Sequence, residues 1–242
     1  MFELVRALRR QTIMKTSRIL SILLAALFPV AVLPAHATSE YDYAKDEYAI
    51  IRDGLAPNKQ VSLASHGDGD GGRENFHVWL MAEPAHRKIV ILDDIGGRLD
   101  TGPNAYYAFW SADSRHVAVA FRSDRHIVEL NLYQIENRRA HLISGPSLFH
   151  DVTSRDSGAG DDERRSVPEF EWKGQMRFLI KERRLFVTSD PGFARMMGAY
   201  GKVTDKLDDG RWFVEFSAEA DCVLMPGNRY RIVDLRVGKF GE

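Results

Sequence analysis

The sequence predicts an all-β fold of repeated antiparallel sheets with a few short helices. Three observations predict it. Short apolar runs with period-two alternation recur along the chain, among them FHVWLM, KIVIL, HVAVAF, IVELNLYQI, RFLI, RLFVT, RWFVEF, CVLM and RYRIVDLRV. Turn-forming Gly, Pro, Asn and Asp residues separate them. Two Asp-led turns, Asp113-Ser114-Arg115 and Asp209-Gly210-Arg211, are each followed by a strand pattern. Many short strands with turns between them bury apolar faces by stacking sheets.

Taken in order, the first 37 residues stand apart. Lys15 and Arg18 precede the apolar run ILSILLAALFPVAVL, and Ala35 and Ala37 form a small-residue cleavage pattern. This is the order of a secretory signal. A membrane anchor is the rival, but it needs about 20 apolar residues, and this run is shorter and holds Pro29. Met14 offers an alternative start to Met1, and no Cys follows the run to carry a lipid. Removal of 1–37 leaves 38–242 as a single β-rich domain of 205 residues, long enough to bury a core. Of 33 Lys/Arg and 34 Asp/Glu, five and one lie in the first 37, so the remainder has a net charge of −5. That balance argues against nucleic acid as a partner.

Residues 39–55 carry Tyr43, Ala44, Tyr48 and Ile51 at helix-like spacings with Gly54 as a stop, which predicts a helix. A second helix is predicted over 191–201, opened by Pro191 and closed by Gly201. The segments 65–75 and 151–166, rich in Gly, Asp and charge, read as solvated loops. Cys222, flanked by Val223 and Leu224, reads as a buried thiol.

The Asp turns lie 96 residues apart, and the acids Glu136 and Asp234, each read as ending a strand, lie 98 apart. Half of that shift divides the chain into units of roughly 56–95, 105–145, 166–200 and 203–242, with the third ending in the predicted helix instead of a strand. A unit of this size cannot shield both its faces alone, so neighbours must stack.

The stretch FWSADSRHVAVAFRSDRHIVELNLYQIENRRAHLI resembles a blade of the TolB-like β-propellers, a WD40-like repeat architecture. Trp110, Ser111, Asp113, Ser123, Asp124, Leu132 and Tyr133 match the repeat, whereas Ala112 and Ser114 stand where proline and glycine are usual. The resemblance covers about 35 residues closely and about 130 loosely. It implies a small or incomplete propeller-like stack and says little of function. Because 205 residues make a tight ring, a β-sandwich is the alternative.

Motifs for chemistry are sparse. G-x-S-x-G, S-x-x-K, H-E-x-x-H, P-loop and dinucleotide fingerprints are all missing, and no catalytic, cofactor or metal residue is assigned. Asp68, Asp70 and Glu74 superficially resemble a calcium loop, but Gly72 and Arg73 occupy the fifth and sixth positions, and a solvated turn is the plainer reading. His66, His77, His86, His116, His126, His141 and His150 are expected on solvent faces or beside carboxylates, with His116 and His126 able to meet across a hairpin as metal ligands. Trp79, Trp110, Trp172 and Trp212 read as core. The ERR runs at 163–165 and 182–184, and NRR at 137–139, read as solvated turns. The expectation is an exported, periplasmic, non-catalytic protein that binds or scaffolds a protein or cell-envelope partner, with no cofactor and no lasting membrane span. The alternatives are a homo-oligomer completing its sheet edges and a hydrolase or lyase with a non-local His/carboxylate site.

Overall fold

The computed structural model describes residues 40–95, 100–156, 161–201 and 203–238, and the predicted signal at 1–37 lies outside them. The described residues form strands β1 (Ala49–Leu55), β2 (Val61–Asp68), β3 (Glu74–Ala82), β4 (Arg87–Ile91), β5 (Tyr107–Trp110), β6 (His116–Asp124), β7 (Ile127–Glu136) and β8 (Arg139–Ile143). They continue with helix α1 (Leu148–Thr153), β9 (Asp161–Trp172), β10 (Arg177–Thr188), helix α2 (Pro191–Tyr200), β11 (Val203–Lys206), β12 (Trp212–Met225) and β13 (Arg229–Val237). The fold is all-β, as the alternation predicts. Among the described residues no helix is long and apolar enough to cross a membrane.

Hydrogen bonding sorts the strands into three antiparallel meanders: β1–β2–β3–β4, β5–β6–β7–β8 and β9–β10–β12–β13, with β11 beside the start of β12. Single parallel bridges join them, Arg52 with Tyr107 between β1 and β5 and Ile127 with Ser166 between β7 and β9. The second and third meanders curl together into a nearly closed, barrel-like sheet. At the seam Ser144 N donates to Asn228 O at 3.0 Å and Tyr230 N donates to Ser144 O at 2.9 Å.

Several predicted strands fuse. RFLI and RLFVT are one strand, β10, and RWFVEF and CVLM are one strand, β12; the two pair from Arg177–Val223 to Thr188–Trp212 without a break. The third and fourth sequence units therefore share one sheet. Along β12 every second residue from Val214 to Leu224 is buried, including Cys222, whose thiol burial pushes up to about 12. This is the pattern of a strand with one face in a core.

Both Asp turns form. Asp113 Oδ1 accepts from Arg115 N at 3.1 Å and Asp209 Oδ1 from Arg211 N at 3.0 Å, and an antiparallel hairpin follows each. Ser114, where the repeat favours glycine, lies in the left-handed region at φ 59°, and Gly210 sits there at φ 86°. The later landmark differs. Glu136 ends β7, but Asp234 lies inside β13, which runs on to Val237 because β12 extends far enough to keep pairing it.

Two apolar clusters flank the second meander. Val117, Val119 and Phe121 face the first meander and pack with Leu63, Val78 and Leu80. Ala118, Leu132 and Ile143 face the barrel interior and join Phe170, Phe178, Phe186, Val214 and Phe216. The alternation in HVAVAF thus serves two cores, one residue in turn to each. Phe149 of α1, with Phe193 and Met197 of α2, fills part of the interior. α2 is the predicted 191–201 helix, opened by Asp190 Oδ1 accepting from Gly192 N at 2.7 Å.

Three expectations are corrected. Residues 49–55 are a strand, not the end of a helix. β1 borders both β2 and β5, and Asp53 at φ 54° breaks any helical path. Tyr43 instead donates to Thr101 O at 2.5 Å, so tertiary partners override local spacing. Residues 65–75 are no floating loop: β2 runs to Asp68, β3 starts at Glu74, and Gly71 and Gly72 are buried beneath Glu40 and Tyr43. Within 151–166, α1 reaches Thr153 and β9 begins at Asp161. The charges of β9 are tolerated in a strand because β10 supplies opposite ones, such as Arg184 for Glu163 and Lys181 for Glu169.

Candidate functional site: a cleft in the barrel wall

β7 and β9 touch through one bridge and then separate. Ser166 N donates to His126 O at 3.2 Å. The next main-chain nitrogen of β9 pointing the same way is two residues on, at Pro168, which has no N–H. A longer parallel ladder therefore lacks its next donor. The gap opens into a cleft of about 430 Å³, with Val128 and Leu130 of β7, Pro168 of β9, Ile180 of β10, Leu148 of α1 and Tyr230 of β13 on its walls. A second pocket of about 180 Å³ shares Leu130, Ile180 and Tyr230 and reaches Phe170. Gly145 makes this wall possible, because a Cβ there would stand 2.0 Å from Cε1 of the Tyr230 ring. Tyr230 is fixed from its other end, its hydroxyl donating to Pro146 O at 3.0 Å.

One end of the cleft is charged. Glu129, Glu163, Glu182 and Arg184 line it. Arg184 Nε donates to Glu182 Oε1, its Nη1 lies 3.7 Å from Glu163 Oε2, and its guanidinium sits 5.1 Å from the centre of the Phe149 ring. That guanidinium is held by a carboxylate, a second carboxylate and a ring face together. Glu163 is different. Its Oε1 is buried and has no hydrogen-bond partner among the described residues. Burial pushes its carboxyl above the ordinary 4.5; Arg184 opposes this, and the charges of Glu182 and Glu129 add to it. The cleft thus joins apolar side chains to a carboxylate-rich group with one acceptor unsatisfied among the described residues, and leaving a buried acceptor unpaired costs about 1–3 kcal/mol.

These residues stand in the ERR runs that read as solvated turns. They are half-buried strand residues instead, with side-chain exposures of 21% for Glu163, 11% for Glu182 and 22% for Arg184. The missed signal is the strand's own phase: Glu182 and Arg184 share the even-numbered face of β10 with the buried Phe178 and Phe186. NRR does form a turn, with Asn137 and Arg138 both at positive φ.

The histidines are dispersed. His116 opens the nine-residue β6 and His126 lies in the turn beyond its far end, roughly 30 Å away at strand rise, so the two cannot meet. His116 is buried beside Trp172, its Nδ1 unpartnered among the described residues. Burial holds its pKa below the usual value, with Asp113 opposing the shift. His66 Nδ1 lies 2.5 Å from Glu47 O, and its ring stacks on Tyr48. His150 pairs with Asp156.

His86 has Glu83 Oε1 on one nitrogen and Tyr48 O on the other, each at 2.7 Å. Burial works against its charge, yet these two acceptors raise its pKa. Ser62 also donates to Glu83 Oε1, at 2.7 Å. The carboxylate stands between hydroxyl and imidazole, so the imidazole is not placed to take a proton from Ser62.

Among the described residues no three His, Cys, Asp or Glu side chains could hold a metal ion, and Asp68, Asp70 and Glu74 do not converge on one. All four tryptophans are half-buried rather than fully core. Trp110 and Trp172 donate their Nε1–H to Gly54 O and Phe109 O, at 3.1 and 2.8 Å.

No family model, curated protein or solved structure matches this chain.

Proposed function

We propose that this chain is an exported, non-catalytic binding protein and that the cleft between β7, β9 and β10 takes a small ligand of the cell envelope. The observation that carries this reading is a cleft of about 430 Å³ lined by apolar side chains and by Glu163, one carboxylate oxygen of which is buried and unpartnered among the described residues. Concave sites that join apolar side chains to fixed polar groups are common small-molecule pockets. Apolar cores on both faces of β5–β8 support it, since they hold one cleft wall rigid. Export rests on the basic, apolar and small-residue order of 1–37.

One observation favours a second reading, hydrolysis. A carboxyl held above its normal pKa near a second carboxylate is what a general acid requires. The test is expression of the full chain in a Gram-negative host, followed by fractionation and native mass spectrometry. The binding reading expects periplasmic protein with the mass of 38–242, carrying a small non-covalent adduct that Ile180→Trp, which fills the cleft, removes. Unprocessed cytoplasmic protein contradicts export. An adduct retained by Ile180→Trp contradicts the site. Release of a cleaved product on incubation, lost in Glu163→Gln, favours hydrolysis.

A further inference from the structure

Resting on the cleft being a binding site, we infer that its ligand is a small organic cation, an amine or guanidine carried on an apolar body. Three carboxylates and one guanidinium line the charged end, and that guanidinium is already engaged by Glu182, Glu163 and the Phe149 ring. An anion would meet Glu129, Glu163 and Glu182 with no free counter-charge in the lining among the described residues. A cation meets a lining whose carboxylates outnumber its guanidinium three to one, and Glu163 keeps hydrogen-bonding capacity at Oε1 unspent among the described residues.

The carboxylates are strung along β7, β9 and β10 and do not converge to hold a metal ion. Donors spread over an organic head group suit them better than a point charge does. Val128, Leu130, Ile180 and Tyr230 give the cleft an apolar stretch, beside Asn131, Ser147 and Ser166, for a short hydrocarbon or aromatic body to pack against. A bound cation would also favour ionised Glu163, so ligand and carboxylate would each satisfy a buried group of the other.

The test is isothermal titration of the 38–242 chain with three probes of one length: hexylamine, hexanol and hexanoate, at pH 7. The inference expects hexylamine to bind at least tenfold tighter than hexanol and hexanoate not to bind. Glu163→Gln, nearly isosteric, should weaken hexylamine at least tenfold and leave hexanol unchanged, with an unaltered circular dichroism spectrum. Ile180→Trp should abolish both. Equal binding of hexylamine and hexanol, both lost in Ile180→Trp, overturns the cation inference and leaves the cleft standing. Hexanoate binding, or hexylamine binding indifferent to Glu163→Gln, also overturns it. Binding of all probes that survives Ile180→Trp, or no binding of any, overturns the cleft as well.

Discussion

The two faces of the β5–β8 meander end in different interiors. On one face Val117, Val119, Phe121 and Tyr133 interlock with the first meander, and neither of the two pockets described opens among them. On the other, Ala118, Leu130 and Leu132 look into the barrel, where helices and phenylalanines fill one part and the cleft keeps the rest open. The same sheet, with the same alternation, supports both. The difference lies in what comes from outside: the first meander packs its apolar side chains against one face, whereas the curled sheet with Pro168 on its rim leaves the cleft on the other.

The largest effect should come from the closed face. Phe121→Ala removes a fully buried ring and should cost about 3–5 kcal/mol in urea unfolding. Ile180→Ala, on the cleft wall, borders open space and should cost well under half of that. Equal losses would erase the distinction between the two interiors.

A smaller effect separates the Asp turns. Gly210→Ala places a side chain at φ 86° with nothing within 4 Å of its Cβ, so only backbone strain is added, about 1 kcal/mol. Thermal unfolding would read it as a modest fall in Tm, and an unchanged Tm would show that this turn is not fixed as described.

The smallest effects are pH-dependent and of opposite sign. Glu163 has a raised folded pKa, so its contribution is fully present below its unfolded value near 4.5 and is lost as pH rises through the folded value. Glu163→Gln should therefore gain stability over wild type as pH rises above about 4.5. His116 has a lowered pKa, so the unfolded chain binds its proton more readily and stability falls as pH drops below about 6.5. His116→Gln should blunt that fall. Parallel stability curves for variant and wild type would contradict either assignment.

Much of the sheet was legible because its residues obey a two-residue period, as in HVAVAF and along β12. β1 was not, because Tyr43, Tyr48 and Ile51 mimic helical spacing while their true partners lie in β2, β3 and the 100–101 segment. The start of β9 was hidden because Asp162 and Glu163 are strand residues only by virtue of their partners Val187 and Phe186 in β10, with Arg164 at a bulge. The cleft is assembled from five elements spread over a hundred residues, so no local motif announces it. Pro168 and the phase of Glu182 and Arg184 with Phe178 and Phe186 were its only local traces.

The most direct measurement is a ¹H–¹⁵N correlation titration of the 38–242 chain with hexylamine. The account predicts shifts concentrated at Val128–Asn131, Glu163, Ser166, Ile180–Arg184 and Tyr230, with Leu80, Val119 and Phe121 unmoved. Shifts centred on the first meander, or none at millimolar ligand, would contradict the claim that the open barrel interior is where this protein binds.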